Sequence, residues 1–132
     1  MLINESNYVD KADQAIRMLV KKEQEKNPRG KANIVTTSKL RNLLAMTADI
    51  YNQILNVSAD TLDPDVCGRI EYLRVRFIYE CGREPKVKAL VDEAEILKIL
   101  KEIGKSRANY ILFSRYMEAL VAFHRFYGGK DQ

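Results

Sequence analysis

The stretch Arg107 to Tyr127, RANYILFSRYMEALVAFHRFY, constrains this chain more than any other. It is the most apolar and most aromatic part of the sequence. On a helical projection of about 100° per residue, Phe113, Tyr116, Met117, Leu120, Phe123, His124 and Tyr127 cover most of the circumference. Arg107, Ser114, Arg115, Glu118 and Arg125 share one narrow polar strip, with Ile111 and Ala122 among them. A helix apolar over most of its surface belongs in the middle of a bundle. The remaining strip sets three arginines against one glutamate, so the expected core helix also offers guanidinium groups on its open side.

The rest of the chain has to cover that helix. Its 132 residues suit one domain, expected to span 1–132, and suffice for a core without staples. Three prolines, six glycines and short β-branched runs favour an all-α fold. The formal net charge of +4 permits a polyanionic partner without demanding one. On a single helix Cys67 and Cys81 stand about four turns apart, too far to bridge each other. They are expected to be free thiols in a reducing cytosol. No signal peptide, lipidation motif or long apolar run is present, so a cytoplasmic protein without membrane contact is expected.

Val9, Ala12, Ile16, Leu19 and Val20 mark one face of a first helix from Tyr8 to about Lys26, with Asn7 or Ser6 as cap. Its last residues, Lys21 to Lys26, are polar all round and are expected to project beyond the core or fray. Asn27-Pro28-Arg29-Gly30-Lys31 is a basic breaker loop. Thr36, Thr37 or Ser38 caps a second helix to about Asn56, whose apolar face is Leu40, Leu43, Leu44, Thr47, Ile50, Tyr51, Ile54 and Leu55. Lys39 and Arg41 in its first turn oppose the helix dipole, a cost that a bound anion would remove.

Asp63-Pro64 opens a third helix, expected to run to Cys81 and stop at Gly82. Val66, Ile70, Leu73 and Phe77 form its core face. Arg69, Tyr72, Arg76, Tyr79 and Arg83 repeat at 3-4-3-4 spacing and make a single stripe on another face. Arginines alternating with tyrosines suit single-stranded nucleic acid, because guanidinium grips phosphate and the rings accept stacked bases. The plainer alternative is wet tyrosines and solvated arginines. Arg74 falls near the apolar side and calls for a carboxylate partner. From Glu84-Pro85 to about Ile103 the apolar phase changes: Val87, Leu90, Val91, Ala94 and Leu97 mark one face, and Ile96, Ile99, Leu100 and Ile103 nearly the opposite one. Either the helix bends near Ala94-Glu95 or it touches two neighbours. Gly104 ends it, Ser106 caps the last helix, and Gly128-Gly129 stops that one.

No catalytic constellation emerges. Gly104-Lys105-Ser106 lacks the earlier glycine of a phosphate loop, since position 99 is isoleucine. His124 is the only histidine and reads as a core-edge residue. The cysteines lack CxxC spacing. The chain therefore reads as a non-enzyme with no metal and no cofactor.

Three stretches taken together carry a family resemblance: TTSKLRNLL from Thr36 to Leu44, LRVRFIYECGR from Leu73 to Arg83, and FSRYMEALVAFHRFYGG from Phe113 to Gly129. In order and spacing they resemble the small subunit of the type III-A CRISPR effector ribonucleoprotein. The resemblance covers nearly the whole chain from Thr36 onward and is weaker in the first helix. It implies a compact five- or six-helix bundle without catalytic activity, acting in antiviral defence. Several copies would stack along the inner side of a filament whose backbone subunits hold the guide RNA. The partners implied are guide RNA, target RNA, other copies of the chain, and the backbone and large subunits. Matched basic positions Lys39, Arg41, Arg76, Arg83, Arg115 and Arg125 are the first candidates for RNA contact, and Arg69 extends the stripe. An RNA chosen by base pairing should be held by its backbone. Two other readings stand beside this one: a purely structural spacer without RNA contact, and a helical DNA-binding regulator, for which no helix-turn-helix is visible.

Overall fold

Side-chain oxygens set three of the helix starts. In the computed structural model, which describes residues 1–30 and 33–128, Thr36 accepts from the Lys39 amide at 3.3 Å and opens α2 (Thr37–Ile54). Asp63 accepts from the Val66 amide at 2.9 Å, with Pro64 in the first turn of α3 (Pro64–Arg83). Ser106 accepts from the Asn109 amide at 3.1 Å and opens α6 (Arg107–Phe126). Each bond satisfies an amide that the first turn leaves without a helical partner. Asn7 stands at the start of α1 (Tyr8–Lys26) without capping it. Its side chain instead accepts from the Asn4 amide at 2.7 Å.

Two helix ends differ from expectation. Gly82 does not stop α3, which continues to Arg83. The break belongs to Glu84, extended at φ −137° and ψ 109°, because the residue before a proline is pushed out of the helical region. Beyond it the phase change resolves as a break rather than as one helix with two neighbours. α4 (Pro85–Glu93) and α5 (Ile96–Glu102) meet at Glu95, which sits in the left-handed region at φ 55°. That residue swings the second apolar set inward, so Val87, Leu90, Val91, Ala94, Ile96, Ile99, Leu100 and Ile103 are all buried. The Tyr116 hydroxyl donates to the Ala94 carbonyl at 2.9 Å and holds the corner.

The helices close a ring: α1 on α6, α6 on α2, α2 on α3, α3 on α4, and α4 back on α1, with α5 against α3, α4 and α6. Among the described residues there is no strand, only one isolated bridge between Thr61 and Ser106. α6 is thus flanked on both sides, and Tyr110, Phe113, Tyr116, Met117, Leu120 and His124 are buried. Phe113 faces Phe77 of α3 across the core at 6.5 Å between ring centroids. Ser114 and Arg107 depart from the expected polar strip. Ser114 is buried, and half-buried Arg107 donates to the carbonyls of Ile54 and Leu55 at 3.2 and 3.1 Å. Arg107 therefore closes the C-terminal end of α2, where carbonyls lack helical partners and a cation suits the dipole.

Other expectations need correction. Val9, expected on the core face of α1, is 46% exposed; Ile3, from the segment before the helix, is buried instead. Leu55 is likewise exposed at the end of α2. The polar end of α1 does not simply project, because Lys22 pairs with Glu93 of α4 at 2.7 Å. Arg74 finds its carboxylate in Glu71 at 3.5 Å. Cys67 and Cys81 are both free, and burial pushes the Cys81 thiol up from its ordinary value. Lys31 and Gly129 lie outside the described residues.

His124 is not at the core edge but fully buried. Its Nε2 lies 2.6 Å from the Val35 carbonyl, and Nδ1 lies 3.3 Å from the Thr37 hydroxyl. A carbonyl only accepts, so Nε2 carries a proton. The ring thereby fastens the segment entering α2 to α6. Replacing His124 with Leu leaves the buried Val35 carbonyl without this donor, and the expected loss is about 1–3 kcal/mol, read from urea midpoints at unchanged m-value. Glu95→Gly should act oppositely, because glycine adopts a left-handed backbone without Cβ strain. A gain of about 0.5–1 kcal/mol is expected after glycine's entropy cost, measured in the same urea series.

Candidate nucleic-acid interface

The 3-4-3-4 stripe survives folding intact. Phe77 and its neighbours turn the opposite side of α3 into the core, which leaves Arg69, Tyr72, Arg76, Tyr79 and Arg83 all exposed on the outer side. Tyr72 is 64% and Tyr79 56% exposed, so neither ring is a core residue with a wet hydroxyl. The Arg76 guanidinium lies 5.7 Å from the centroid of the Tyr79 ring, within the range of a cation–π contact. Arg83 pairs loosely with Glu80 at 3.7 Å, and Arg69 donates to the Gln53 side chain of α2. Among the described residues, Arg76 has no carboxylate within ion-pair distance.

α2 adds to this face. Gln53, near its end, meets Arg69 near the start of α3, and Lys39 in its first turn meets Glu84 just past the end of α3. The two helices therefore run antiparallel, and Lys39 lies at the Arg83 end of the stripe. A carboxylate of the chain itself meets the cation at the start of α2. Glu84 Oε2 accepts from Lys39 Nζ at 2.7 Å, and this hydrogen bond holds the Glu84 carboxyl below its ordinary value. Arg41, one turn-fraction further along α2, is exposed and has no such ion pair among the described residues.

Arg115 and Arg125 do not join this group. Both are exposed on α6, on the strip opposite Phe113. Phe77 and Phe113 meet in the core between α3 and α6, so the exposed stripe of α3 and the open strip of α6 belong to different helices. The seven candidates thus divide by helix: Lys39, Arg41, Arg69, Arg76 and Arg83 on α2 and α3, and Arg115 with Arg125 on α6.

Sequence reasoning missed a neighbouring feature. Val75 and Ile78 are also exposed, beside the tyrosines. Gly68, Tyr72, Val75, Tyr79 and Gly82 repeat at 4-3-4-3 spacing directly opposite the buried face, a second period that was readable but hidden behind the arginines. Between α2 and α3 runs a groove of about 510 Å3, bordered by Arg69, Tyr72 and Arg76. Among the described residues no group of His, Cys, Asp or Glu could hold a metal ion, and no helix is long and apolar enough to cross a membrane.

Comparison with known proteins gives the family. The family model Csm2 Type III-A matches residues 13–130. A CRISPR system Cms protein Csm2 of Streptococcus thermophilus is 45% identical over 130 residues, covering 98% of each chain. The protein of the same description from Mycobacterium tuberculosis (strain CDC 1551 / Oshkosh) is 39% identical over the full length of both chains, 132 residues. One from Enterococcus italicus is 39% identical over 109 residues, 77% of this chain and 78% of that one. Full-length similarity at this level, with a family match over nearly the whole chain, means that the chain belongs to the Csm2 type III-A family, the small subunit of the type III-A CRISPR Csm complex.

Proposed function

We propose that the chain serves the interference complex as a non-catalytic, RNA-contacting subunit, and that the outer side of α3 is its phosphate track. The observation that carries this reading is the exposed run Arg69, Tyr72, Arg76, Tyr79, Arg83. Successive arginines on it stand seven residues apart, about 10 Å along the helix. Guanidinium groups at that pitch grip a flexible strand through paired N–H donors, while tyrosine faces take its bases without regard to identity. Lys39 and Arg41 extend the track toward α2. The bonds to Gln53, Glu80 and Glu84 hold Arg69, Arg83 and Lys39 outward at modest cost, since exposed pairs exchange readily for a phosphate.

In this reading Arg115 and Arg125, exposed on α6 and outside the α3 stripe, serve a different contact. We assign it to neighbouring subunits: other copies stacked along the filament, or the backbone and large subunits of the complex. The strand on α3 is the target RNA in the groove where it pairs with the guide RNA; its phosphates are held so that any sequence can be accepted, and the tyrosines take bases left unpaired. A single copy neutralises few phosphates and binds weakly, and the stacked array multiplies the effect. The reaction chemistry belongs to other subunits, and the site of action is the cytoplasm.

The test is RNA binding by the purified protein at low and moderate salt, for wild type and for Arg69, Arg76 and Arg83 changed together to Ala. Wild type is expected to bind single-stranded RNA with no requirement for a particular sequence. In the triple variant the slope of log affinity against log salt should fall by about 2, at ~0.7 per lost phosphate contact. A folded variant that keeps the wild-type affinity and slope would remove α3 as the track and favour a structural spacer.

A further inference from the structure

The groove between α2 and α3 is built of more than arginines. Met46, Ile50 and Leu73 give it an apolar floor, and Tyr72 forms part of its wall. At about 510 Å3 it falls within the ~300–1,000 Å3 of small-ligand sites. Two carboxylates, Asp49 and Asp65, also line it. Neither makes an ion pair among the described residues, although Arg69 and Arg76 border the same groove. Gly68 lines it as well, and a Cβ added there would meet nothing within 4 Å. Glycine inside an exposed helix is unfavourable, and nothing in this chain packs where its side chain would be. Its absence keeps the groove open.

We infer that this groove receives one unpaired nucleobase of the RNA strand, of the class that carries an exocyclic amino group: cytosine, adenine or guanine. The inference rests on the phosphate-track reading, because the strand must run past Tyr72 and Arg76 for a base to turn in. The chemistry of the lining sets the class. An apolar floor and a tyrosine face accept the flat of any base. Carboxylates only accept hydrogen bonds, so they favour amino donors. Uracil offers them a single N–H flanked by two carbonyl oxygens, which repel a carboxylate. Those carboxylates also keep phosphate out of the groove, leaving it on the outer guanidinium groups of Arg69 and Arg76. A base already paired to the guide has its donor edge occupied, so the occupant is a splayed nucleotide.

The experiment compares oligocytidylate, oligouridylate and an abasic ribose-phosphate oligomer of equal length. Their affinities for the full chain are measured at several salt concentrations, for wild type and for Gly68→Leu. Leucine at 68 adds bulk at the groove's edge beside Tyr72, retains every arginine and suits a helix, and circular dichroism verifies its fold. Wild type should prefer cytidine over uridine by about three- to tenfold, the worth of one hydrogen bond. Gly68→Leu should abolish the preference and leave the salt slope unchanged. Equal wild-type affinity for the cytidine and uridine oligomers, or a preference that persists in Gly68→Leu, overturns the base site while the phosphate track stands. Absence of RNA binding by wild type overturns both. A Met46 methyl resonance that responds to the other effector subunits without RNA, and not to oligocytidylate, assigns the groove to protein and also overturns the inference.

Discussion

Burial of α6 is the constraint on which the other helices depend. Its rings and aliphatic side chains have to be covered on two flanks, and α1 and α2 cover them. Its polar atoms have to be satisfied in the same act. Tyr110 donates to the Thr47 carbonyl at 2.7 Å, and Tyr116 to Ala94 at 2.9 Å. His124 binds the approach to α2, and Arg107 closes the far end of that helix. Among the described residues no buried side-chain nitrogen or oxygen lacks a partner. The same contacts that fill the core thereby fix the direction and rotation of α2. Burial also drives the Tyr110 and Tyr116 hydroxyls well above the ordinary tyrosine range, so both remain donors at any physiological pH.

Two separate exposed surfaces follow from that arrangement. A ring of helices around one core has an outside on every helix, and most of it here is mixed in charge. The exceptions are α3, where arginines and tyrosines concentrate, and the strip of α6 that carries Arg115 and Arg125. Phe77 and Phe113 meet in the core between these two helices.

How much of this was legible in advance varies with the kind of signal. Periodicity revealed the inner and outer sides of α3, and side-chain caps revealed the starts of α2, α3 and α6. The phase change after Ala94 announced a discontinuity, but only the left-handed Glu95 turned it into a corner. Gly82 misled because glycine ends a helix when it takes a left-handed backbone; here the proline three residues on did the work. Val9 misled because one-face spacing cannot foresee Ile3, brought in from outside the helix. Of the candidate interface, the exposed stripe was readable as a pattern. The Lys39–Glu84 bond, the groove and the separation of Arg115 and Arg125 from α3 were not, since each depends on how distinct helices meet.

The pairing of α1 with α6 joins the two ends of the chain. It has a consequence during synthesis, when the amino terminus emerges first. Ala12, Ile16 and Leu19 are then exposed on an amphipathic helix whose covering partner has not yet left the ribosome. α2 through α5 can dock on one another, but the ring stays open until the last helix is released, and both edges next to the gap are apolar. Nascent chains of this protein therefore pass through an interval in which they are sticky, and long-range closure comes last.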